Sequence, residues 1–221
     1  MVTAGKIFRL MENLDIGTIA AKLKGYRRET EFEEEATRIP LLVEVKDLSI
    51  RENTLHGTYS QDSITYIIHR GKRSVIPRTL DIPFVFVQHK DRTLLLIMEK
   101  KLIANNVANQ LSEALFITSG YITEIRILPE ILRNYHEQNP EDTKVIFFDN
   151  MDIPNVSKLS LYGSGLLNTV LYNEYLKHGS IWYIVITARK YNSIVGITRN
   201  GIVTVFNTID PQDYIVYVVD E

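Results

Sequence analysis

A long run of period-two hydrophobicity over residues 39–98 constrains the fold of this chain more than any other feature. Leu41, Val43 and Val45 alternate with residues that include charged ones. Such alternation is typical of strands with one buried face and one face in water. Turn residues divide the run at Glu52-Asn53, Gln61-Asp62, Gly71 and Lys90-Asp91. The pattern therefore predicts an antiparallel meander of about five strands.

Helical periodicity flanks this run on both sides. Before it, Ile7, Leu10 and Leu14 repeat at intervals of three and four, which predicts one or two short helices ending by Gly25. The charged residues 26–38 then predict a linker or a frayed helix. After the run, the apolar residues of 100–117 fall on one stripe, which predicts an amphipathic helix of about four or five turns.

The last hundred residues alternate between strand and helix patterns. Strands are predicted at 121–128 and 143–148 around a helix that begins at Pro129, and a second helix is predicted from Gly165 to Lys177. Three strands follow at 181–188, 193–198 and 202–206, and residues 213–219 predict a last strand or helix. The predicted class is α+β: an antiparallel β-meander packed by a long helix, followed by a smaller α+β unit. The predicted organisation is a helical N-terminal segment at 1–38, the meander and its packing helix at 39–118, and the second unit at 119–221.

Composition excludes several classes of protein. The chain has no cysteine, which excludes a disulfide framework, a zinc ribbon and a cysteine protease. Lys6, Arg9 and Glu12 interrupt the N-terminal apolar residues, so no signal peptide is expected. The apolar run 94–98 is too short to cross a bilayer. We therefore predict a cytoplasmic protein with no membrane partner and no cofactor.

Positive charge is concentrated in the first half of the chain. The net charge is -2, yet residues 1–110 contain 17 basic and 14 acidic side chains and residues 111–221 contain 8 and 13. A basic turn at Arg70 to Arg78 is the densest group of these cations. One interpretation is that it contacts an anionic ligand, either the phosphates of a nucleic acid or an acidic partner. The other is that it is a solvated hairpin tip. The candidate nucleic-acid-binding residues are Arg70, Lys72, Arg73, Arg78, Lys100 and Lys101.

Aromatic residues are concentrated in the second half. Tyrosine and tryptophan combine apolar area with a polar tip and are enriched in interface cores. Packing in the protein core explains some of them equally well. The candidate residues for a protein interface, in a hetero- or homo-oligomer, are Tyr162, Tyr172, Tyr175, Trp182 and Tyr183.

Catalytic and metal-binding patterns are weak. Glu44-Val45-Lys46 is similar to the E-x-K core of metal-dependent nucleases, but the solvent face of an amphipathic strand explains it better, and no aspartate partner is evident. The five histidines lack the spacing of a metal site, so no metal site is predicted. A nuclease using Glu44 and Lys46, or a small-molecule sensor with a pocket between two units, remains an alternative to a non-enzymatic binding protein.

The order of these elements resembles the amino-terminal half of prokaryotic Argonautes, the N domain with its linkers. The resemblance rests on element order over the whole chain, on Arg70 to Arg78 as a phosphate-facing turn, and on Lys100, Leu102 and Ile103 at the start of the packing helix. It implies a separate, non-catalytic companion of a truncated Argonaute. Such a subunit docks on its partner and helps to hold a guide–target duplex in guide-directed host defence.

Overall fold

The fold is of the mixed α+β class, as predicted. The computed structural model describes residues 2–34 and 37–220. Twelve strands and five α-helices lie in these residues, together with two short 3₁₀ helices, at Leu166–Asn168 and Arg189–Tyr191. In chain order the elements are β1 (Thr3–Leu10), α1 (Ile16–Leu23), β2 (Arg27–Glu34), β3 (Thr37–Arg51), β4 (Thr54–His69), β5 (Lys72–His89), β6 (Arg92–Ile97), α2 (Lys101–Phe116), β7 (Ile122–Glu124), α3 (Pro129–Gln138), β8 (Thr143–Asp149), β9 (Lys158–Tyr162), α4 (Val170–His178), β10 (Ser180–Ala188), β11 (Ser193–Thr198), β12 (Ile202–Val205) and α5 (Pro211–Asp220).

The chain divides into two compact units. One, the N-unit, spans Arg9–Thr123, and the other, the C-unit, combines the residues up to Phe8 with those from Glu124 onward. In the N-unit, strands β2 to β6 pair with their chain neighbours in antiparallel register. Helix α1 lies against β3, β4 and β5, and α2 lies against α1 and β6. Their shared core includes Ile19, Tyr59, Phe86 and Leu111, all fully or almost fully buried.

The C-unit is an antiparallel sheet with helices on one face. Its strand order is β1-β12-β11-β10-β8-β9. On the helical face, Phe148 of β8 contacts Tyr172 and Tyr175 of α4, and the Tyr214 hydroxyl of α5 donates a hydrogen bond of 2.9 Å to the Val203 carbonyl. Phe147 points to the opposite face because successive side chains of a strand alternate.

The N-terminal predictions are partly wrong. A helix is present at α1, where the Asp15 carboxylate caps the helix by accepting from the Thr18 amide at 2.8 Å. Ile7 and Leu10, however, belong to strand β1, which pairs with β12 in a register that places Lys6 opposite Ile202. The predicted linker or frayed helix is strand β2, which pairs residue by residue with β3. Charged residues suit β2 because they discourage further pairing at a sheet edge.

Three element boundaries also differ from prediction. The expected turn at Gln61-Asp62 is absent, since β4 continues through both residues to His69. The strand predicted at 121–128 is only Ile122–Glu124, and the helix predicted from Gly165 begins at Val170. There the Thr169 side chain accepts from the Tyr172 amide and caps the helix, which ends the preceding 3₁₀ turn.

Candidate functional site

The most distinctive feature of the N-unit is a two-stranded arm formed by the distal parts of β4 and β5. Pairing of β3 with β4 ends at Val43–Gln61, and pairing of β5 with β6 ends at Phe84–Ile97. Pairing of β4 with β5 continues to His69–Lys72. We call residues 63–78 the arm. Seven residue steps separate Ser63 from the turn, so the arm is about 24 Å long.

A tight turn closes the arm at Arg70-Gly71. Both residues have positive φ, at 49° and 78°. This combination defines a type I′ turn, whose twist matches that of the two flanking strands. Gly71 accepts the left-handed conformation without strain, and its backbone has open space around it. The turn therefore holds the two strands in register up to the tip of the arm.

The arm contains four cations and no carboxylate. Arg70, Lys72, Arg73 and Arg78 are all exposed. A guanidinium nitrogen of Arg73 lies 3.6 Å from a Glu34 carboxylate oxygen, and its guanidinium lies 3.7 Å from the centre of the Tyr66 ring. Within residues 2–34 and 37–220 the other three cations form no ion pair. They are available to an anionic ligand.

Apolar side chains on the arm are exposed as well. The exposed fractions are 43% for Tyr66, 45% for Ile67, 75% for Ile68 and 42% for Ile76. A two-stranded ribbon without a further layer cannot bury apolar residues on both of its faces. A concentration of exposed apolar side chains on a soluble protein marks an interaction surface. The arm thus combines positive charge with apolar contact area.

The strand register divides the arm into two faces, because residues directly opposite each other in an antiparallel pair share a face. On the first, which we call the Tyr66 face, Tyr66 is opposite Val75 and Ile68 is opposite Arg73. The second, the Lys72 face, has four consecutive cross-strand pairs: Ser63–Arg78, Thr65–Ile76, Ile67–Ser74 and His69–Lys72. Glu34 contacts the Tyr66 face, so the cations of the Lys72 face lie on the side away from that carboxylate.

Lys100 and Lys101 lie elsewhere. Lys100 is the N-cap residue of α2, and Lys101 is the first residue of the helix. Both are exposed, but no hydrogen bond or ion pair joins them to the arm in the part of the chain that the structure describes. The structure therefore brings together four of the six candidate nucleic-acid-binding residues.

Three of the candidate interface residues lie on the face of the C-unit sheet opposite α4; Trp182 and Tyr183, although successive, share this face because the register of β10 with β8 shifts between Ile181 and Tyr183. Phe147 is the centre of this aromatic cluster, with ring centroids 5.9 Å from Tyr162, 5.8 Å from Trp182 and 5.4 Å from Tyr183. Tyr162 is the most open of them, at 68% exposure. The Lys158 ammonium lies 4.6 Å from the centre of the Trp182 ring. Phe147 was not among the sequence candidates, since only the cross-strand register identifies it.

Tyr172 and Tyr175 belong to α4 and pack against Phe148 on the other face of this sheet. Tyr172 is 1% exposed, and its hydroxyl donates a hydrogen bond of 3.1 Å to Glu137. Burial raises the pKa of this phenol. A contact between Tyr172 and a partner does not agree with this burial, because the side chain packs against His136 and Phe148 in the core. Tyr175 is half-buried against Phe148.

The E-x-K pattern acquires a neighbouring aspartate in the fold. Register places Glu44 opposite Ser60, and Ser60 opposite Asp81. The Lys46 ammonium lies 2.9 Å from an Asp81 carboxylate oxygen, to which the Ser60 hydroxyl donates at 2.6 Å. Hydrogen bonds from Lys46 and Ser60 lower the pKa of Asp81. Sequence alone missed Asp81, since the pairing of β4 with β5 had to be known.

The Lys46–Asp81 ion pair is the main feature of this polar face. Lys46 is engaged by Asp81, and this ion pair raises the pKa of the lysine. Among the described residues, no group of three or more histidine, aspartate or glutamate side chains is placed to hold a metal ion. An ion pair across neighbouring strands is what the solvated face of a sheet commonly contains.

A small pocket lies within the C-unit. It has a volume of about 190 Å³ and is lined by Asp142, Arg189, Tyr191 and Tyr217 among others. Sites for drug-sized ligands usually occupy about 300–1,000 Å³. The pocket is thus small for such a ligand, and two of its charged lining residues, Arg189 and Asp142, form an ion pair.

No protein-family model matches the chain, and no curated protein matches it. None of the helices in residues 2–34 and 37–220 combines the length and apolar character needed to cross a membrane.

Proposed function

We propose that this chain is a non-catalytic accessory protein that binds nucleic acid through the arm. The observation that supports this proposal is the arm itself: four cations and no carboxylate on a ribbon in which β4 and β5 stay paired past the last residues that pair with β3 and β6. A solvated hairpin tip accounts for the charge but not for the exposed Ile67, Ile68 and Ile76. Contact with a ligand accounts for both.

The number of phosphate contacts made by the arm determines how strongly binding depends on salt. Each cation that contacts a phosphate releases condensed counterions, so the logarithm of affinity falls with the logarithm of salt concentration by about one unit per contact. Arg70, Lys72 and Arg78 supply three such contacts, and Arg73 supplies a fourth where its ion pair with Glu34 opens. Binding through the arm is therefore expected to depend strongly on salt.

The aromatic cluster of Phe147, Tyr162, Trp182 and Tyr183 is the proposed docking surface for a protein partner. Exposed aromatic rings are enriched in interface cores. In its finer form, the proposal is a companion subunit of a truncated Argonaute. The consecutive antiparallel strands β2 to β6, the helix α2 and the second α+β unit support that form, since they follow the element order of the N domain and its linkers. In that setting the arm contacts the guide–target duplex.

Charge reversal of the arm tests the proposed function. The triple variant Arg70→Glu, Lys72→Glu and Arg73→Glu is expected to weaken binding to fluorescein-labelled oligonucleotides by about thirtyfold at about 0.1 M salt. The salt dependence is expected to flatten by about two to three units, because the phosphate contacts of Arg70 and Lys72 are lost together with the partial contact of Arg73. Fluorescence anisotropy at several salt concentrations measures both quantities. The probes are a DNA duplex, an RNA duplex and a DNA single strand.

A matched variant controls for net charge. Lys24→Glu, Lys90→Glu and Arg92→Glu change the same number of exposed cations in the N-unit, away from the arm. This control is expected to retain affinity within about threefold, since long-range attraction is screened beyond about 10 Å. Equal loss in the two triple variants, or no binding by the wild-type chain, refutes the proposed function.

Replacing Glu34 with glutamine is expected to strengthen binding about two- to threefold, because the ion pair that holds Arg73 is lost and Arg73 then contributes a fuller phosphate contact. The same anisotropy titration measures the change. Glu33→Gln is the matched control: Glu33 pairs with Arg38 at 2.8 Å and does not contact the arm. Equal effects of the two variants would attribute the gain to net charge alone.

A further inference from the structure

We infer that the arm inserts its Lys72 face into the major groove of a B-form DNA duplex. This inference deepens the proposed function and rests on it. It names one class of nucleic acid and one of the two faces of the arm. Three observations support it: the dimensions of the ribbon, the chemistry of each face and the contact of the Arg73 guanidinium with the Tyr66 ring.

Dimensions favour the major groove of B-form DNA. Two paired strands lie about 4.8 Å apart, and the arm extends about 24 Å. The major groove is about 12 Å wide and about 8.5 Å deep, which admits a two-stranded ribbon, whereas the minor groove is only about 6 Å wide. The major groove of A-form RNA is too narrow for side chains to reach its base edges. At a rise of about 3.4 Å per base pair, the arm spans about seven base pairs.

The Lys72 face has the chemistry that base edges require. Thr65, Ser74 and His69 offer polar contacts to base edges, and Lys72 and Arg78, at the two ends of this face, reach the phosphates beside them. Ile67 and Ile76 lie between these residues on the same face and suit contact with thymine methyl groups. All of these residues are exposed.

The Tyr66 face is less suited to DNA. Its cation, Arg73, is already held by Glu34 and by the Tyr66 ring. The Glu34 carboxylate on this side repels phosphates, whereas no carboxylate contacts the Lys72 face among the described residues. This asymmetry sets the orientation in which the arm approaches a duplex.

Single-stranded nucleic acid fits the arm poorly. Proteins that bind single strands stack successive bases on several open aromatic rings. Tyr66 is the only Phe, Tyr or Trp residue of the arm. The Arg73 guanidinium lies over its ring at 3.7 Å, so that face of the ring is occupied. The arm therefore lacks a stacking surface.

Two neighbouring residues on opposite faces provide a matched test. Ile67→Asp places a carboxylate on the Lys72 face, and Ile68→Asp places one on the Tyr66 face. Anisotropy titrations use the full chain with a DNA duplex, an RNA duplex of the same sequence and a DNA single strand. Wild-type protein is expected to bind the DNA duplex at least about tenfold more tightly than either other probe. Ile67→Asp is expected to weaken duplex binding at least about tenfold, and Ile68→Asp by less than about threefold.

The outcomes separate the inference from the proposed function. Equal affinity for RNA duplex or single-stranded DNA, or a loss in Ile68→Asp that equals the loss in Ile67→Asp, overturns the groove assignment and leaves nucleic-acid binding in place. Failure of the wild-type chain to bind all three probes overturns both. Urea unfolding of the two variants checks that each retains the stability of the wild-type fold.

Discussion

Replacing Glu124 with alanine is expected to lower the free energy of unfolding of the C-unit by about 3 kcal/mol. The Lys6 side chain is fully buried, and its ammonium donates to a Glu124 carboxylate oxygen. The ammonium also lies 5.2 Å from the centre of the Phe8 ring. Removing the carboxylate takes a counterion away from a fully buried side chain, and a buried charge that loses a counterion is costly. The single tryptophan, Trp182, belongs to the C-unit, so its fluorescence in urea reports this transition.

A double variant separates the ion pair from simple packing. Lys6→Met with Glu124→Gln removes both charges at similar volume and is expected to recover more than half of the lost stability. The control is Glu141→Ala, an exposed carboxylate in the same unit, which is expected to change the free energy of unfolding by about 0.5 kcal/mol or less. A loss in Glu124→Ala as small as that of Glu141→Ala would contradict the role assigned to the pair.

Local patterns predicted many individual elements of this fold. Alternation identified strands within residues 39–98, and the turns at Glu52-Asn53, Gly71 and Lys90-Asp91 lie where β3, β4, β5 and β6 meet. The apolar stripe of residues 100–117 corresponds to α2. These signals are local because side-chain periodicity and turn residues act within a few positions of the chain. The α+β class followed from them.

The arm was not predicted, because the Gln61-Asp62 pattern indicates a turn but has another role in the fold. Gln61-Asp62 predicted a turn because aspartate commonly bonds to the backbone of its own turn. In the fold, the Asp62 carboxylate instead accepts from the Leu42 amide at 2.9 Å and from the Thr79 hydroxyl at 2.6 Å, on the two neighbouring strands. Strand β4 therefore continues, and the basic residues lie near the end of a ribbon rather than on a short hairpin.

Long-range pairing accounts for the other missed features. Strand β1 depends on a partner about two hundred residues away in the chain, so the three-and-four spacing of Ile7, Leu10 and Leu14 indicated a helix instead. The partnership of Lys46 with Asp81 and the burial of Tyr172 have the same origin. Each depends on which strands and helices become neighbours, and no local pattern contains that information.

Removing the arm is expected to abolish nucleic-acid binding while leaving the fold intact. The variant deletes residues 64–77 and joins Ser63 to Arg78, which are opposite each other in register, through an Asn-Gly type I′ turn. Affinity for the DNA duplex is expected to fall about a thousandfold, because Arg70, Lys72, Arg73 and the groove contacts are lost together. Anisotropy with the labelled duplex measures the loss.

Stability is the discriminating measurement for this truncation. Most side chains of the deleted segment are exposed, so the free energy of unfolding is expected to change by about 1 kcal/mol or less. By comparison, Phe86→Ala in the N-unit core, where the side chain is fully buried, is expected to lower the free energy of unfolding by about 3–5 kcal/mol.

Circular dichroism in urea compares the stabilities of the two variants. A truncated chain that unfolds as easily as Phe86→Ala would make the arm a structural element, and one that keeps wild-type affinity would show that the duplex is bound elsewhere. We expect the truncated chain to keep its stability and lose its affinity for the DNA duplex, because the arm residues contribute to binding and not to folding.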